Sequence, residues 1–230
     1  HLAVGSGLSY ELTDHFSLRT GLTFGTVSAN DEYGKNRSRN LNFTSNITEG
    51  NLELQYFFTP VHEYSLSPYV FSGIAVYHFD PYTKDTTGQK YYLRPLSTEG
   101  EGFIPGVKNY NLTQIAIPFG AGVKLNLSEN INVGLEVGFR KLFTDYLDDV
   151  STNYVDESLL LANRGAEAVE LAYSGNELKN GKPYPAAGAK RGSPKAKDMY
   201  YFTGFTMSFR LGSGNYADRH SEWSCPKSVL

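Results

Sequence analysis

The chain has 230 residues, a formal net charge of -3, 40% hydrophobic and 14% aromatic residues, and a single cysteine, Cys225. That length suits one barrel-sized domain, and the slightly acidic balance argues against a protein held to nucleic acid by charge. An internal disulfide is excluded, and no apolar run approaches the roughly 20 residues that a membrane helix needs.

His1 already lies inside an alternating segment. We therefore expect a processed N-terminus and some mature residues to lie upstream of it. Leu2, Val4, Leu8, Tyr10 and Leu12 fall on one face, with Ala3, Gly5, Gly7, Ser9 and Glu11 on the other. Period 2 means a strand, because successive side chains point to opposite faces. Thr13-Asp14 reads as a tight turn. Phe16, Leu18, Leu22 and Phe24 then continue the apolar face opposite Ser17, Arg19, Gly21, Thr23 and Gly25. Residues 28–46 are polar and Asn-rich, which predicts a loop. Leu52, Leu54, Tyr56 and Phe58 resume the stripe opposite Asn51, Glu53 and Gln55.

From Pro68 to Phe79 two facings compete: Val70, Ile74 and Val76 outward, or Phe71, Tyr77 and Phe79. The first puts Gly73 and Ala75 inside and is preferred. Residues 80–109 predict a long loop. A hairpin follows over Ile115 to Phe143, turning at Ser128-Glu129-Asn130. Its faces are unlike each other. One carries Ile115, Phe119, Val123, Val133 and Phe139; the other is mostly glycine plus Lys124, Glu136 and Arg140. Residues 144–197 predict the longest loop, with a short helix within Ser158 to Ala172. Tyr201, Phe205, Met207, Phe209 and Leu211 form the last stripe, opposite Phe202, Gly204, Thr206, Ser208 and Arg210. Residues 212–230 read as a tail.

In a soluble sandwich the solvent face is richly polar and seldom so rich in glycine. A transmembrane barrel inverts the arrangement, with the apolar face on lipid and small or charged groups within. The expected fold is therefore all-β: a transmembrane antiparallel up-and-down barrel of OmpA-like size. Connections alternate short and long, so the long ones should lie outside the cell and the tail in the periplasm. About seven strands are visible, and bacterial barrels have an even number. A strand upstream of His1 is expected to make about eight.

Glu11, Arg19, Glu53, Lys124, Glu136, Arg140 and Arg210 all fall on the inward face. Both signs occur, and unpaired buried charges are costly, so a lumen ion-pair network is expected. Enzyme signatures are weak. The histidines lack metal-ligand spacing. His78 with Ser72 imitates part of a hydrolase triad, but no orienting group stands near them. No nucleotide-binding fingerprint occurs. Asp145, Asp148, Asp149, Ser151 and Thr152 form the one dense constellation. Calcium would use such oxygens; turn-capping carboxylates are the plainer reading.

Lys141 to Tyr154, KLFTDYLDDVSTNY, resembles the signature segment of the PorG-type outer-membrane barrels of Bacteroidota. Pro68 to Pro81, Arg191 to Gly204 and the Cys-Pro at Cys225 are similar to that family too. The resemblance implies a non-enzymatic component of the type 9 secretion system in the outer membrane. It implies a contact with the periplasmic ring built from a PorK-type lipoprotein and its PorN-type partner. It also implies an intermolecular disulfide to the ring lipoprotein through Cys225, with Trp223 and Arg219 beside it on the periplasmic tail. No cofactor or metal is implied. The rival readings are a surface binding barrel or adhesin working through its loops, and a lipid-modifying barrel enzyme.

Overall fold

Strict alternation makes strands here because it lets one ribbon present two chemically different surfaces at once. The structure is a computed structural model and describes residues 1–31, 36–60, 64–85, 87–128 and 130–211. Its strands are β1 (Ala3–Glu11), β2 (Phe16–Asn30), β3 (Asn42–Phe57), β4 (Leu66–Lys84), β5 (Lys90–Tyr92), β6 (Thr113–Asn126), β7 (Ile131–Leu142) and β8 (Met199–Phe209). They form one eight-stranded antiparallel sheet. Seven strands meander in the order β1-β2-β3-β4-β6-β7-β8, and β5 pairs with the end of β4. The sheet curls so far that Arg19 on β2 touches Glu136 on β7, and Tyr200 on β8 touches Glu49 on β3. This is the up-and-down barrel architecture, open along one side. Among the described residues β1 pairs with β2 and β8 with β7. Six antiparallel steps separate β1 from β8, so the two edges run in the same direction.

The facing of β4 is settled. Val70, Ile74 and Val76 are exposed, while Phe71, Tyr77 and Phe79 are buried. The same parity holds along the sheet. Leu8, Leu22, Leu54, Leu135 and Phe205 point out, with Phe205 90% exposed. Glycine lines the inside where strands and side chains converge. A Cβ on Gly120 would stand 2.2 Å from the Val137 carbonyl oxygen and 2.6 Å from the Phe71 ring. Pro118, lacking an N–H, lies on β6 opposite Gly73. The β4–β6 pairing stops at Ser72↔Phe119 and resumes at Ala75↔Ala116, as a missing ladder donor requires.

The strands run further than the sequence suggested. The segment read as a loop over 28–46 is strand at both ends, since β2 ends at Asn30 and β3 starts at Asn42. Likewise β4 continues to Lys84. In these extensions the two faces exchange character. Outward positions are Thr26, Ser28, Asn30 on β2, Thr44, Asn46, Thr48 on β3, and His78, Asp80, Lys84 on β4. Inward positions are Val27, Phe43, Ile47, Tyr77 and Phe79, all in one cluster. The exchange begins at the paired row Phe24↔Thr48↔His78. Below that row the sheet is oily outside; above it, oily inside.

The interior is layered from the short-turn end upward. Phe57, Tyr69 and Phe71 form the first layer. A charged layer follows. Above it Ile47, Tyr77, Phe79, Tyr110, Leu142 and Tyr200 pack together. The long connections then fold into a cap with its own core of Val155, Leu160, Ala168 and Ala172, against which Leu96, Phe103 and Ile104 pack. The expected helix is two: α1 (Glu157–Arg164) and α2 (Ala166–Ala172). Asp156 caps α1 by accepting from the Leu159 N–H at 3.1 Å. Gly165, at φ +90°, ends α1 and starts α2, which no single helix accommodates.

Candidate functional site

Two polar networks occupy the inside of the molecule, one in the barrel and one under the cap. In the barrel, β2, β3 and β7 aim Arg19, Glu53, Glu136 and Arg140 at a common centre because all four sit on inward parity. Arg19 donates to Glu53 Oε2 from Nε at 2.9 Å and to Glu136 Oε2 from Nη1 at 2.6 Å. The Tyr69 hydroxyl donates to the same Glu136 oxygen at 2.7 Å. Arg140 grips Glu49 from Nε at 3.0 Å and from Nη2 at 2.9 Å. Tyr200 donates to Glu49 Oε2 at 2.8 Å. The Arg140 Nη2 stands 3.7 Å from Glu53 Oε1, which closes the chain between the two arginines. Glu49 and Glu53 are wholly buried.

Four of the seven expected lumen residues are therefore brought together: Arg19, Glu53, Glu136 and Arg140. Lys124 lies lower, its Nζ 4.7 Å from the Phe57 ring centroid, near enough to Glu11 and Arg210 to feel both charges. Glu49 was missed by the sequence reading. It lies four residues before Glu53 and shares its parity, so extending the alternation upstream would have found it. Ser72 and His78 are not brought together. They face outward on β4, six residues or about 20 Å apart. Ser72 donates to the Pro118 carbonyl, and His78 bonds Thr113.

The Asp145–Tyr154 segment crosses the top of the barrel and is tied down residue by residue. Ser151 donates its hydroxyl to Asp145, and Lys197 Nζ lies 3.2 Å from the same carboxylate. Asp148 accepts from the Val150 N–H at 3.0 Å. Asp149 is wholly buried at φ +62° and accepts from Thr98 Oγ1 at 2.6 Å and Tyr110 OH at 2.7 Å. Burial pushes its carboxyl up to about 6 against the pull of Arg191. The Arg191 guanidinium is the hub. It donates to Glu99 Oε1 at 3.0 Å, and also to the backbone oxygens of Asp149 and Ala172. Glu99 in turn accepts from the Ser151 and Thr152 N–H groups, each at 2.8 Å. Arg39, paired with Asp31, reaches the Arg191 carbonyl from the β2–β3 connection. Three long connections are thus stitched into one lid.

These carboxylates spend their oxygens on N–H and O–H donors. Among the described residues no group of three His, Cys, Asp or Glu side chains has metal-holding geometry. A polar cleft of about 260 Å³ opens at the cap's side, between Asn42, Thr83, Asp85, Glu170 and Ser174. Arg219, Trp223 and Cys225 fall outside the described residues.

Residues 1–163 match a family described as a domain of unknown function, DUF6089. The chain belongs to that family. The DUF6089 match spans β1 to β7 and most of α1, and so contains both networks except for the Ala172 carbonyl, Arg191, Lys197 and Tyr200. No curated protein matches the chain.

Proposed function

We propose that this DUF6089 protein is a small outer-membrane barrel that works as a non-enzymatic anchor in the type 9 secretion system. One observation carries the membrane reading: the apolar outer belt gives way, at a single row of the sheet, to polar outward residues. On β4 the belt runs from Leu66 to Val76, eleven residues and so ten steps along the strand. At about 3.3 Å per residue and a tilt of about 40°, that is about 25 Å, the height of a lipid-facing barrel band. Aromatic contacts among Phe16, Tyr56 and Phe58 at the lower rim suit an interfacial girdle.

The secretion role rests on the resemblance of Lys141–Tyr154, Pro68–Pro81 and the Cys-Pro at Cys225 to PorG-type barrels. In this reading residues 212–230 hang into the periplasm. They meet the PorK-type lipoprotein and the PorN-type partner, with Cys225 forming a disulfide to the former. Mild detergent extraction of the tagged protein from native membranes tests it. Recovery of ring proteins, with a Cys225-dependent high-mass band on a non-reducing gel, supports the anchor. Recovery without any ring protein sinks it. The folded cap favours a second reading, a surface-binding barrel, for which an extracellular ligand would co-purify instead.

A further inference from the structure

The cap holds a carboxylate that no cation meets among the described residues. Glu101 is 1% exposed and sits between Gly100 and Gly102, both at positive φ. That conformation suits glycine on either side and turns the Glu101 side chain back under its own loop. There its Oε2 accepts from the Glu99 N–H at 3.1 Å, while Oε1 is buried without a hydrogen-bond partner.

Among the described residues, Glu99 and Asp149 act on its carboxyl, and Tyr110 and Tyr146 lie within reach of its charge. Behind these stand Arg94 at Tyr110, Asp145 at Tyr146 and Arg191 between Glu99 and Asp149, while Arg164 reaches the Glu101 carbonyl from α1. Every cation among them is committed elsewhere. Arg191 is spent on Glu99 and on the Asp149 and Ala172 carbonyls. Arg94 donates to the Tyr110 carbonyl at 3.0 Å. Arg164 donates to Ser97 and Asn163 and to the backbone oxygen of Glu101, not to its carboxylate. Asp149 and Glu99 both repel a charge on Glu101.

We propose that Glu101 is a proton-held latch: the cap is closed when this carboxyl is neutral and loosens when it ionises. An ionised Glu101 would be a third buried carboxylate beside Glu99 and Asp149, with Arg191 already taken, and such a charge leaves for water. The movement open to it is separation of residues 94–112 from the β7–β8 connection, which parts the Tyr110–Tyr146 stack over the barrel's upper layer. Burial and the Asp149 carboxylate push the Glu101 carboxyl up from its ordinary 4.5 to about 7. Closure is therefore favoured most below about pH 4.5, weakens as pH rises, and levels off above about 7. This concerns the cap alone and stands whether or not the secretion reading does.

Hydrogen exchange of cap amides in the refolded full chain, corrected for intrinsic rates, tests it. Between pH 5 and 7 the opening constant of the wild type, divided by that of Glu101→Gln, should rise about tenfold per pH unit. A ratio that stays constant with pH overturns the latch. If Glu101→Gln cannot close at all, Asp149→Asn decides. Removing that neighbouring charge should bring the levelling-off to a lower pH than in the wild type, and an unmoved plateau overturns the proposal.

Discussion

Arg140 offers the sharpest test of the charged layer. Its side chain is 5% exposed and that of Glu49 is fully buried. Arg140→Met removes three hydrogen bonds to Glu49 and leaves that carboxylate with two neutral donors, the Tyr200 hydroxyl at 2.8 Å and the Asn51 amide at 3.3 Å. It also withdraws the guanidinium that stands 3.7 Å from Glu53 Oε1, an oxygen with no hydrogen-bond partner among the described residues. Stranding one member of a buried pair costs about 3–5 kcal/mol. Removing both charges is another matter. Arg140→Met with Glu49→Leu relieves the desolvation of two ions, which is often neutral or stabilising by about 1–4 kcal/mol. Against this stands the orphaned Tyr200 hydroxyl, at about 1–3 kcal/mol, with a smaller loss at the part-buried Asn51 amide. The double variant should therefore lie within about 3 kcal/mol of the wild type and above the single variant. Urea titration of the protein refolded in lipid vesicles, followed by far-UV circular dichroism, measures both midpoints. The slope must stay unchanged for midpoints to report stability. A single variant that loses under about 1 kcal/mol would mean the pair behaves as a surface salt bridge. A double variant worse than the single would also refute the reasoning.

Gly120→Ala should cost about 1–3 kcal/mol, because its Cβ has nowhere to go between the Val137 carbonyl and the Phe71 ring. Gly204→Ala, where nothing lies within 4 Å, should stay within about 0.5 kcal/mol in the same titration. Arg191→Met should leave Glu99 without a cation, costing about 3–5 kcal/mol locally. Trypsin should then cut the β7–β8 connection while the β1–β7 core stays intact; equal protection of Arg191→Met and the wild type would remove Arg191 as hub. Burial pushes Asp198, which accepts from the Leu147 N–H, up from its ordinary 3.8 to about 6. A raised carboxyl stabilises the fold fully below about pH 3.8 and loses that contribution as pH rises through 6. Asp198→Asn should flatten this part of the pH–stability curve, read by thermal melts from pH 4 to 7.

The barrel was legible because its rule is local. Each outward residue differs from its two neighbours, and a reader needs no partner strand to see it. Even the ambiguous β4 yielded, since Gly73 and Ala75 mark the crowded side of a narrow sheet. The rule misled where the surroundings change. Along Asn42–Glu49 the outward positions are Thr44, Asn46 and Thr48, so the apolar stripe vanishes and the strand reads as loop. The alternation had not ended. It had reversed sign, with Phe43 and Ile47 now inward, and the reversal marks the edge of the oily belt more sharply than any single stripe does.

Most of the cap was illegible for a different reason. Outside the dense Asp145–Thr152 constellation its members are isolated polar residues from three connections, and their meaning lies in which donors they exhaust. Glu101 between two glycines looks like a solvated turn, and Arg191 in a stretch rich in lysine, glycine and proline looks like a surface cation. No spacing rule ties Glu99 to Arg191, 92 residues away. Hydrogen-bond satisfaction is settled only after folding, when each buried N–H and carboxylate must find a partner or lose free energy. The same accounting reaches the lumen, where Glu53 and Glu136 were found by parity but the donors that hold them came from β2, β4 and β7. Local pattern thus predicts which side of the sheet a charge occupies. Whether that charge is held by one cation, shared between two, or kept neutral by a proton depends on contacts that only the closed fold creates.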